Sequence, residues 1–287
     1  MLLAIGDGAL DALLAQDAPI GDLTTHALGI GRQLGRITFA ARADMVLCCA
    51  EEAARMLERV GVTPALRCGS GDRIAAGTVF LEGRGAAAGI HLAWKVSQTL
   101  VEYASGIATR TRRIVEAARA EAPDIAVACT RKNFPGTKEI SVKAVLAGGA
   151  QMHRLGLSET LLVFPEHAVF LEGAPDFHGL KRRHPEKKLV VEVSSVEAAL
   201  AAAEAGADVL QLEKLPPEAV GEVVRRVSSL PSRPLVAAGG INEANAAAYA
   251  ATGCAVLVTS APYFSGPADV KVVISAIAAE DTAGERS

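Results

Sequence analysis

The chain has 287 residues, half of them apolar, with 29 basic against 32 acidic side chains. That length supports one large domain or two unequal ones, and so balanced a charge supplies no global field to gather nucleic acid or an anionic membrane. Aromatic residues make up only 4%, which argues against reading single strands by base stacking, so no nucleic-acid partner is expected and any anion site must be local.

The N-terminal MLLAIGDGALDALL has no basic leader and carries Asp7 and Asp11 within its apolar stretch, unlike a secretory signal. No run approaches the roughly 18 apolar residues of a membrane span. Cys48, Cys49, Cys68, Cys129 and Cys254 form no C-x-x-C pair and no metal spacing with histidine, so they read as small buried hydrophobes in a reducing compartment. A soluble, cytoplasmic protein is expected.

In chain order, GRITFAARAD (35–44) and TVFLEGR (78–84) alternate like half-exposed strands, and residues 51–61 and 91–122 are helical in pattern. This portion reads as a smaller α+β domain whose last long helix leads onward. From about residue 123 the rhythm changes to short apolar strands: 125–129, 161–164, 188–193, 208–212, 234–238 and 255–259. Helical segments at 195–206, 216–230 and 242–253 separate several of them. Strands apolar throughout and alternating with helices imply a parallel sheet buried on both faces. An incomplete (β/α) barrel fits, with a doubly wound sheet as the competing arrangement. The final AAEDTAGERS is polar and reads as a frayed tail.

In parallel α/β folds reactive groups gather at the carboxyl ends of the strands. Here those ends carry Arg131 and Lys132, then Glu166 and His167, Glu192, Glu213 and Lys214, Gly239-Gly240 and Ser260. Cations, carboxylates and a Gly-Gly turn before a helix suit a polyanionic ligand with a divalent cation. Each element also has a plainer reading. Arg131 and Lys132 fit a solvated loop equally well, His153 and Arg154 fit the covering of a helix end, and Gly-Gly before a helix is a weak phosphate signal. Glu192 stands apart, because a carboxylate inside VVEV needs a partner or a metal.

DAPIGDLTT (17–25), SGIATRTRR (105–113), TRKNFPGTK (130–138), KAVLAGGAQMHRLGL (143–157), VEVSSVEAAL (191–200) and AAGGIN (237–242) together resemble, in order and spacing, the quinolinate phosphoribosyltransferases. The branch called ModD, pyrophosphorylases associated with molybdenum transport, is the nearer likeness, through Phe134, Pro135, Gly136 and Thr137 after the T-R-K. The resemblance implies an N-terminal α/β sandwich over 1–108, rejoined by 265–287, and an open α/β TIM-like barrel over 109–264. It implies a homodimer with a shared active site, and a reaction in which a pyridine carboxylate nitrogen displaces pyrophosphate from phosphoribosyl pyrophosphate with Mg²⁺.

By the same resemblance Arg131, His153 and Arg154 grip substrate carboxylates, and Lys132 serves both substrate and pyrophosphate. Glu192 and Glu213 face the ribose and a Mg²⁺ ion, Glu213 replacing an aspartate. Gly239, Gly240 and Ser260 lie on the phosphate side. Lys95 stands for an arginine delivered by the neighbouring subunit, keeping charge without the bidentate fork.

The departures are as informative. Phe164 replaces a lysine expected near the substrate carboxylate and pyrophosphate, Ala238 replaces a serine, Ser260 and Phe264 fall where glycine and histidine are expected, and Lys214 occupies the place of an asparagine. A missing cation leaves a doubly charged substrate unpaired in a closed site, at a cost on the order of several kcal/mol. The expectation is therefore a transferase acting on a nitrogen heterocycle less anionic than quinolinate. A carboxylating quinolinate phosphoribosyltransferase of NAD biosynthesis and a non-catalytic anion sensor, for instance of molybdate, are the alternatives.

Overall fold

The computed structural model describes residues 3–277, and the AAEDTAGERS tail lies outside them. The chain begins with α1 (Asp7–Asp17) and α2 (Leu23–Ala27), then β1 (Leu34–Ala41), β2 (Met45–Val46), α3 (Ala50–Arg59), β3 (Thr63–Leu66), β4 (Arg73–Ile74), β5 (Val79–Ala86) and the long α4 (Ala87–Glu121). Next come β6 (Ala126–Cys129), α5 (Lys138–Ala147), β7 (Gln151–Met152), β8 (Leu161–Val163), α6 (Pro165–Ala168), α7 (Phe177–Arg183) and β9 (Leu189–Val193). The remainder is α8 (Val196–Glu204), β10 (Val209–Leu212), α9 (Pro217–Ser228), β11 (Leu235–Ala238), α10 (Ala246–Ala250), β12 (Val256–Thr259) and β13 (Val270–Ala276). No helix among the described residues is long and apolar enough to cross a membrane.

Two compact units result. The first comprises the chain to Thr109, Pro135–Gly149 and the segment from Ser265; the second comprises Arg110–Phe134 and Ala150–Phe264. In the first, four antiparallel strands lie in the order β13-β1-β5-β3. The alternation in β1 buries Ile37, Phe39 and Ala41 against Ala53 and Leu57 of α3 and Ile90 and Ala93 of α4, as period-2 patterning requires of a one-sided sheet.

The sequence reading placed all of 109–264 in the barrel, and α5 departs from that. Ala144 and Ala147 pack with Ile5, Leu10, Met56 and Ala104 in the first unit. Lys143, on the same helix, bonds Glu52 at 2.5 Å and Glu51 at 3.2 Å. A buried ammonium has to sit where its carboxylates are, and these belong to α3.

The second unit is a parallel sheet of seven strands in the order β7-β6-β12-β11-β10-β9-β8, open at β7 and β8. The sequence pattern gave six of these strands. The seventh, β7, is only Gln-Met, too short to show a period, yet it pairs with Ala128 and Cys129 of β6. In β9 the flanking Leu189, Val190, Val191 and Val193 are buried and Glu192 is half-buried, because its side of the strand faces a cavity. A further difference follows β11. The helix expected over 242–253 is confined to Ala246–Ala250, because the Asn242 side chain accepts from Ala244 N and Asn245 accepts from Asn242 N, favouring turns over helix.

Candidate active site

The carboxyl ends of the seven strands surround a cavity of about 560 Å³, within the usual range for small-molecule sites. Alternation along the strands builds it in tiers. Leu162, Glu192, Gln211 and Val258 line it from within β8, β9, β10 and β12, and Phe164, Glu213 and Ser260 follow two positions on from Leu162, Gln211 and Val258.

One wall is cationic. Thr130 accepts a hydrogen bond from the Lys132 amide at 3.2 Å and shares one with the Ser260 hydroxyl at 2.6 Å, while its carbonyl accepts from the Tyr263 hydroxyl at 2.7 Å. These bonds fix the turn that presents Arg131 and Lys132. The neighbouring loop is set by the amide of His153, which donates to the Cys129 carbonyl at 2.9 Å and so continues the β6–β7 ladder. Arg154 is buried, at 6% exposure, and makes no ion pair with a carboxylate of the described residues. Its guanidinium carbon lies 5.8 Å from the centroid of the Phe164 ring, a cation–π distance. Burial, and then the charge of Arg131, hold the Arg154 guanidinium below its usual value. Burial and the charge of Arg154 likewise lower the His153 imidazole. A buried, unpaired guanidinium with two more cations at the same mouth is an arrangement that an anion completes.

The opposite wall is acidic. Glu192 and Gln211 are register partners on β9 and β10, and Glu213 follows two residues after Gln211. Glu192 makes no ion pair or side-chain hydrogen bond among the described residues. Burial and then the charges of Glu213 and Glu166 raise its carboxyl above the ordinary range, with Lys132 and Lys214 opposing. Two carboxylates at one mouth that repel each other suit a divalent cation carried in on a phosphate. No group of three metal-ligating side chains occurs among the described residues, so phosphate and water would have to complete the shell. Lys214 lines the same wall from a left-handed backbone, φ 54°, with Nζ 3.5 Å from Glu213 Oε1. Such a conformation in a lysine is strained and clusters at functional sites.

Gly239 and Gly240 form the third side. A Cβ on Gly239 would stand 3.1 Å from both Gln211 Nε2 and Glu213 Oε2, so only glycine leaves both groups in place. Gly240 adopts φ 79°, and its amide donates to no group of the described residues. An N–H at the cavity surface can meet a phosphate oxygen, but the short α10 starts too far on to add a helix terminus, contrary to the sequence expectation. Ala238 is buried and does not line the cavity, whereas Phe264 does, from an exposed position. Cys129, behind the Thr130 turn, is buried and does not line the cavity, and burial pushes its thiol up to about 12.

A family model described as "Quinolinate phosphoribosyl transferase, C-terminal domain" matches residues 107–273, and its N-terminal counterpart matches 22–105. The chain belongs to the quinolinate phosphoribosyltransferase family. Membership makes it a transferase, a pentosyltransferase resembling the nicotinate-nucleotide pyrophosphorylases. Within the family it is 46% identical to a protein named pyrophosphorylase ModD from Rhodobacter capsulatus, over 86% of this chain and 96% of that one. To the ModD of Escherichia coli O157:H7 it is 38% identical over 94% and 97%. The fold is that of NadC from Streptococcus pyogenes, with a TM-score of 0.86 at 23% identity over 95% of this chain and 97% of the other.

Of the residues singled out in the sequence, Arg131, Lys132, His153, Arg154, Glu192, Glu213, Gly239, Gly240 and Ser260 all line this one cavity. Lys95 does not. It sits over the Trp94 ring at 4.4 Å and hydrogen-bonds Gln98 in the first unit. Glu166 and His167 do not line it either. Their place at the end of β8 is taken by Phe164, which stacks on His167 with ring centroids 5.5 Å apart. Among the polar lining residues, Arg110, whose Nε bonds Glu243 at 3.2 Å, Asn242 and Gln211 carry no role in the sequence reading. Gln211 had a signal, a polar residue two before Glu213 on an otherwise apolar strand.

Proposed function

We propose that this transferase moves the phosphoribosyl group of phosphoribosyl pyrophosphate onto the ring nitrogen of a heterocyclic acid carrying less negative charge than quinolinate. The observation that carries the reading is Arg154, buried without a carboxylate and braced by Phe164 where a second cation was expected. Arg131, His153 and Arg154 bind one acid group, beside Phe164, which supplies no cation for a second. Lys132, at the same mouth, receives the pyrophosphate.

In the transfer the nitrogen lone pair forms a bond to C1 of the ribose while the C1–oxygen bond breaks and its electrons leave with pyrophosphate. Positive charge builds on the ribose ring and negative charge on the leaving group. Glu192, with no ion pair or side-chain hydrogen bond among the described residues, is available to the first, and Lys132 and Lys214 to the second. Glu192 and Glu213 are the residues that would hold a Mg²⁺ ion, which would supply positive charge for the leaving pyrophosphate. Gly239, Gly240 and Ser260 hold the 5′-phosphate.

We assign Lys95 to the cavity of a second copy, so the working enzyme is a homodimer with shared sites. The likeness to ModD proteins supports a setting in molybdenum transport or metabolism. The test is pyrophosphate release from phosphoribosyl pyrophosphate and Mg²⁺ with a panel of heterocyclic acids. Release with at least one acid is expected, and no release with any of them would rule the transfer out.

A further inference from the structure

Positive charge is unevenly placed around the cavity. Arg131, Lys132, His153 and Arg154 follow β6 and β7, and Lys214 is paired with Glu213. From Gly239 to Phe264 the lining carries no charged residue. Yet the Gly240 amide donates to no group among the described residues, and a left-handed glycine turn of this kind suits an oxyanion. Ser260 adds little, since its hydroxyl is shared with Thr130 at 2.6 Å. An oxyanion met there by one amide and no opposite charge would be poorly compensated for the water it gives up.

The remaining basic residue of the lining is Arg110. It stands on the 35-residue helix α4 instead of a strand end. Its Nε lies 3.2 Å from Glu243 Oε2, and Glu243 does not line the cavity. Glu243 follows Gly240 by three residues, in a loop fixed by its own side chains: Asn245 donates to the Gly240 carbonyl at 3.1 Å and accepts from the Asn242 amide at 2.8 Å. Arg110 is thereby tied to the loop that carries the glycine turn. Only Nε is used, because Nη1 and Nη2 make no hydrogen bond among the described residues.

An ion pair whose partners are 26% and 35% exposed contributes little to stability, so holding the fold does not account for it. Orientation does. With Nε held by a carboxylate outside the cavity, the planar guanidinium keeps its two terminal nitrogens for a ligand, and that fork matches two oxygens of a phosphate.

We propose that Arg110, oriented by Glu243, is a phosphate-binding residue of this site: Nη1 and Nη2 take the 5′-phosphate that the Gly240 amide meets, and supply the charge that the glycine turn lacks. This rests on the phosphoribosyl reading and adds to it a charged anchor delivered from α4.

The experiment uses the full chain as wild type, Arg110→Met, Arg110→Lys and Glu243→Gln. Each is titrated calorimetrically with ribose 5-phosphate and with inorganic pyrophosphate, and KM for the best acceptor is measured in parallel. Arg110→Met is expected to weaken ribose 5-phosphate by about 10- to 100-fold, the scale of a charge-assisted hydrogen bond. Pyrophosphate affinity, the acceptor KM and the unfolding temperature should stay as in wild type. Arg110→Lys keeps the charge without the fork and should recover part of the loss, and Glu243→Gln should fall between wild type and Arg110→Met. Wild-type affinity for ribose 5-phosphate in Arg110→Met overturns the assignment. So does an equal loss for pyrophosphate, which would place Arg110 at the leaving group, or a weakening of every ligand with a lowered unfolding temperature, which would make it structural. Where methionine at this position fails to fold, Arg110→Lys decides: it must weaken ribose 5-phosphate selectively, and unchanged affinity contradicts the fork. If wild type binds no ribose 5-phosphate and releases no pyrophosphate, the phosphoribosyl reading falls as well, whereas normal turnover with unaffected variants removes only the role of Arg110.

Discussion

The Arg154 guanidinium carbon lies 5.8 Å from the centroid of the Phe164 ring, and no carboxylate among the described residues pairs with it. The guanidinium is held by an aromatic face on one side and open to the cavity on the other. This relationship joins a cation of the cavity with the aromatic residue that stands where a lysine was expected from the sequence.

Arg154→Lys should lower kcat/KM by roughly 10- to 100-fold, on the scale of one lost charge-assisted hydrogen bond, because an ammonium neither stacks on Phe164 nor forms a planar fork. Arg154→Met should lower activity further without lowering the unfolding temperature, since it removes a buried charge that has no carboxylate partner among the described residues. Steady-state kinetics and thermal melts on the same samples check both halves.

Replacing Phe164 by lysine restores the cation expected after β8. Phe164→Lys should improve KM for quinolinate by about tenfold, the worth of roughly 1.4 kcal/mol, and impair the acceptor preferred by wild type. An unchanged ratio between the two acceptors would mean that position 164 does not set specificity.

Glu192 gives a pH prediction. Its folded-state carboxyl is raised by burial and by Glu213 and Glu166, so the native state holds the proton more tightly than the unfolded chain. Its contribution to stability is present below its unfolded value and is lost as pH rises through the folded one. Glu192→Gln should therefore melt higher than wild type at neutral pH, with the difference shrinking as pH falls below the ordinary glutamate range, while activity is lost. Glu166→Gln removes one raising charge and should shift the acidic limb of kcat/KM to lower pH.

Binding an acid beside His153 should reverse the effect of burial and Arg154 that lowers its imidazole. Ligand binding just below neutral pH should then take up a fraction of a proton, seen as a calorimetric enthalpy that varies with buffer ionisation heat. His153→Gln should abolish that uptake.

In the first unit, Lys143→Met strips Glu52 of its ammonium at a site where Glu52 is 1% exposed and, among the described residues, otherwise accepts from the Ile5 amide at 3.3 Å. The expected loss is about 3–5 kcal/mol of stability, measured by denaturant unfolding. The Lys143→Met/Glu52→Leu double variant should recover much of it.

The strands of the second unit were legible because each is an apolar run ending at a charged or glycine residue. Listing those ends brought together Arg131, Lys132, Glu192, Glu213, Gly239, Gly240 and Ser260, since in a parallel sheet they share one edge. What stayed hidden depends on long-range contacts. β7 exists only because Gln151 and Met152 lie beside β6, and α5 joins the first unit through Lys143 and two glutamates about ninety residues earlier. The shortening of α10 came from side-chain bonds of two asparagines that outcompete the helix. Gln211 was passed over because a glutamine within a strand carries no charge to draw notice, and only burial without a partner exposes it.

The most direct measurement compares kcat/KM for quinolinate and for a pyridine monocarboxylate with the wild-type enzyme, phosphoribosyl pyrophosphate and Mg²⁺. The two acceptors differ by the one carboxylate that Phe164 cannot pair. A clear advantage for the singly charged acid is expected; an equal or higher value for quinolinate would mean that Phe164 does not set the charge of the acceptor.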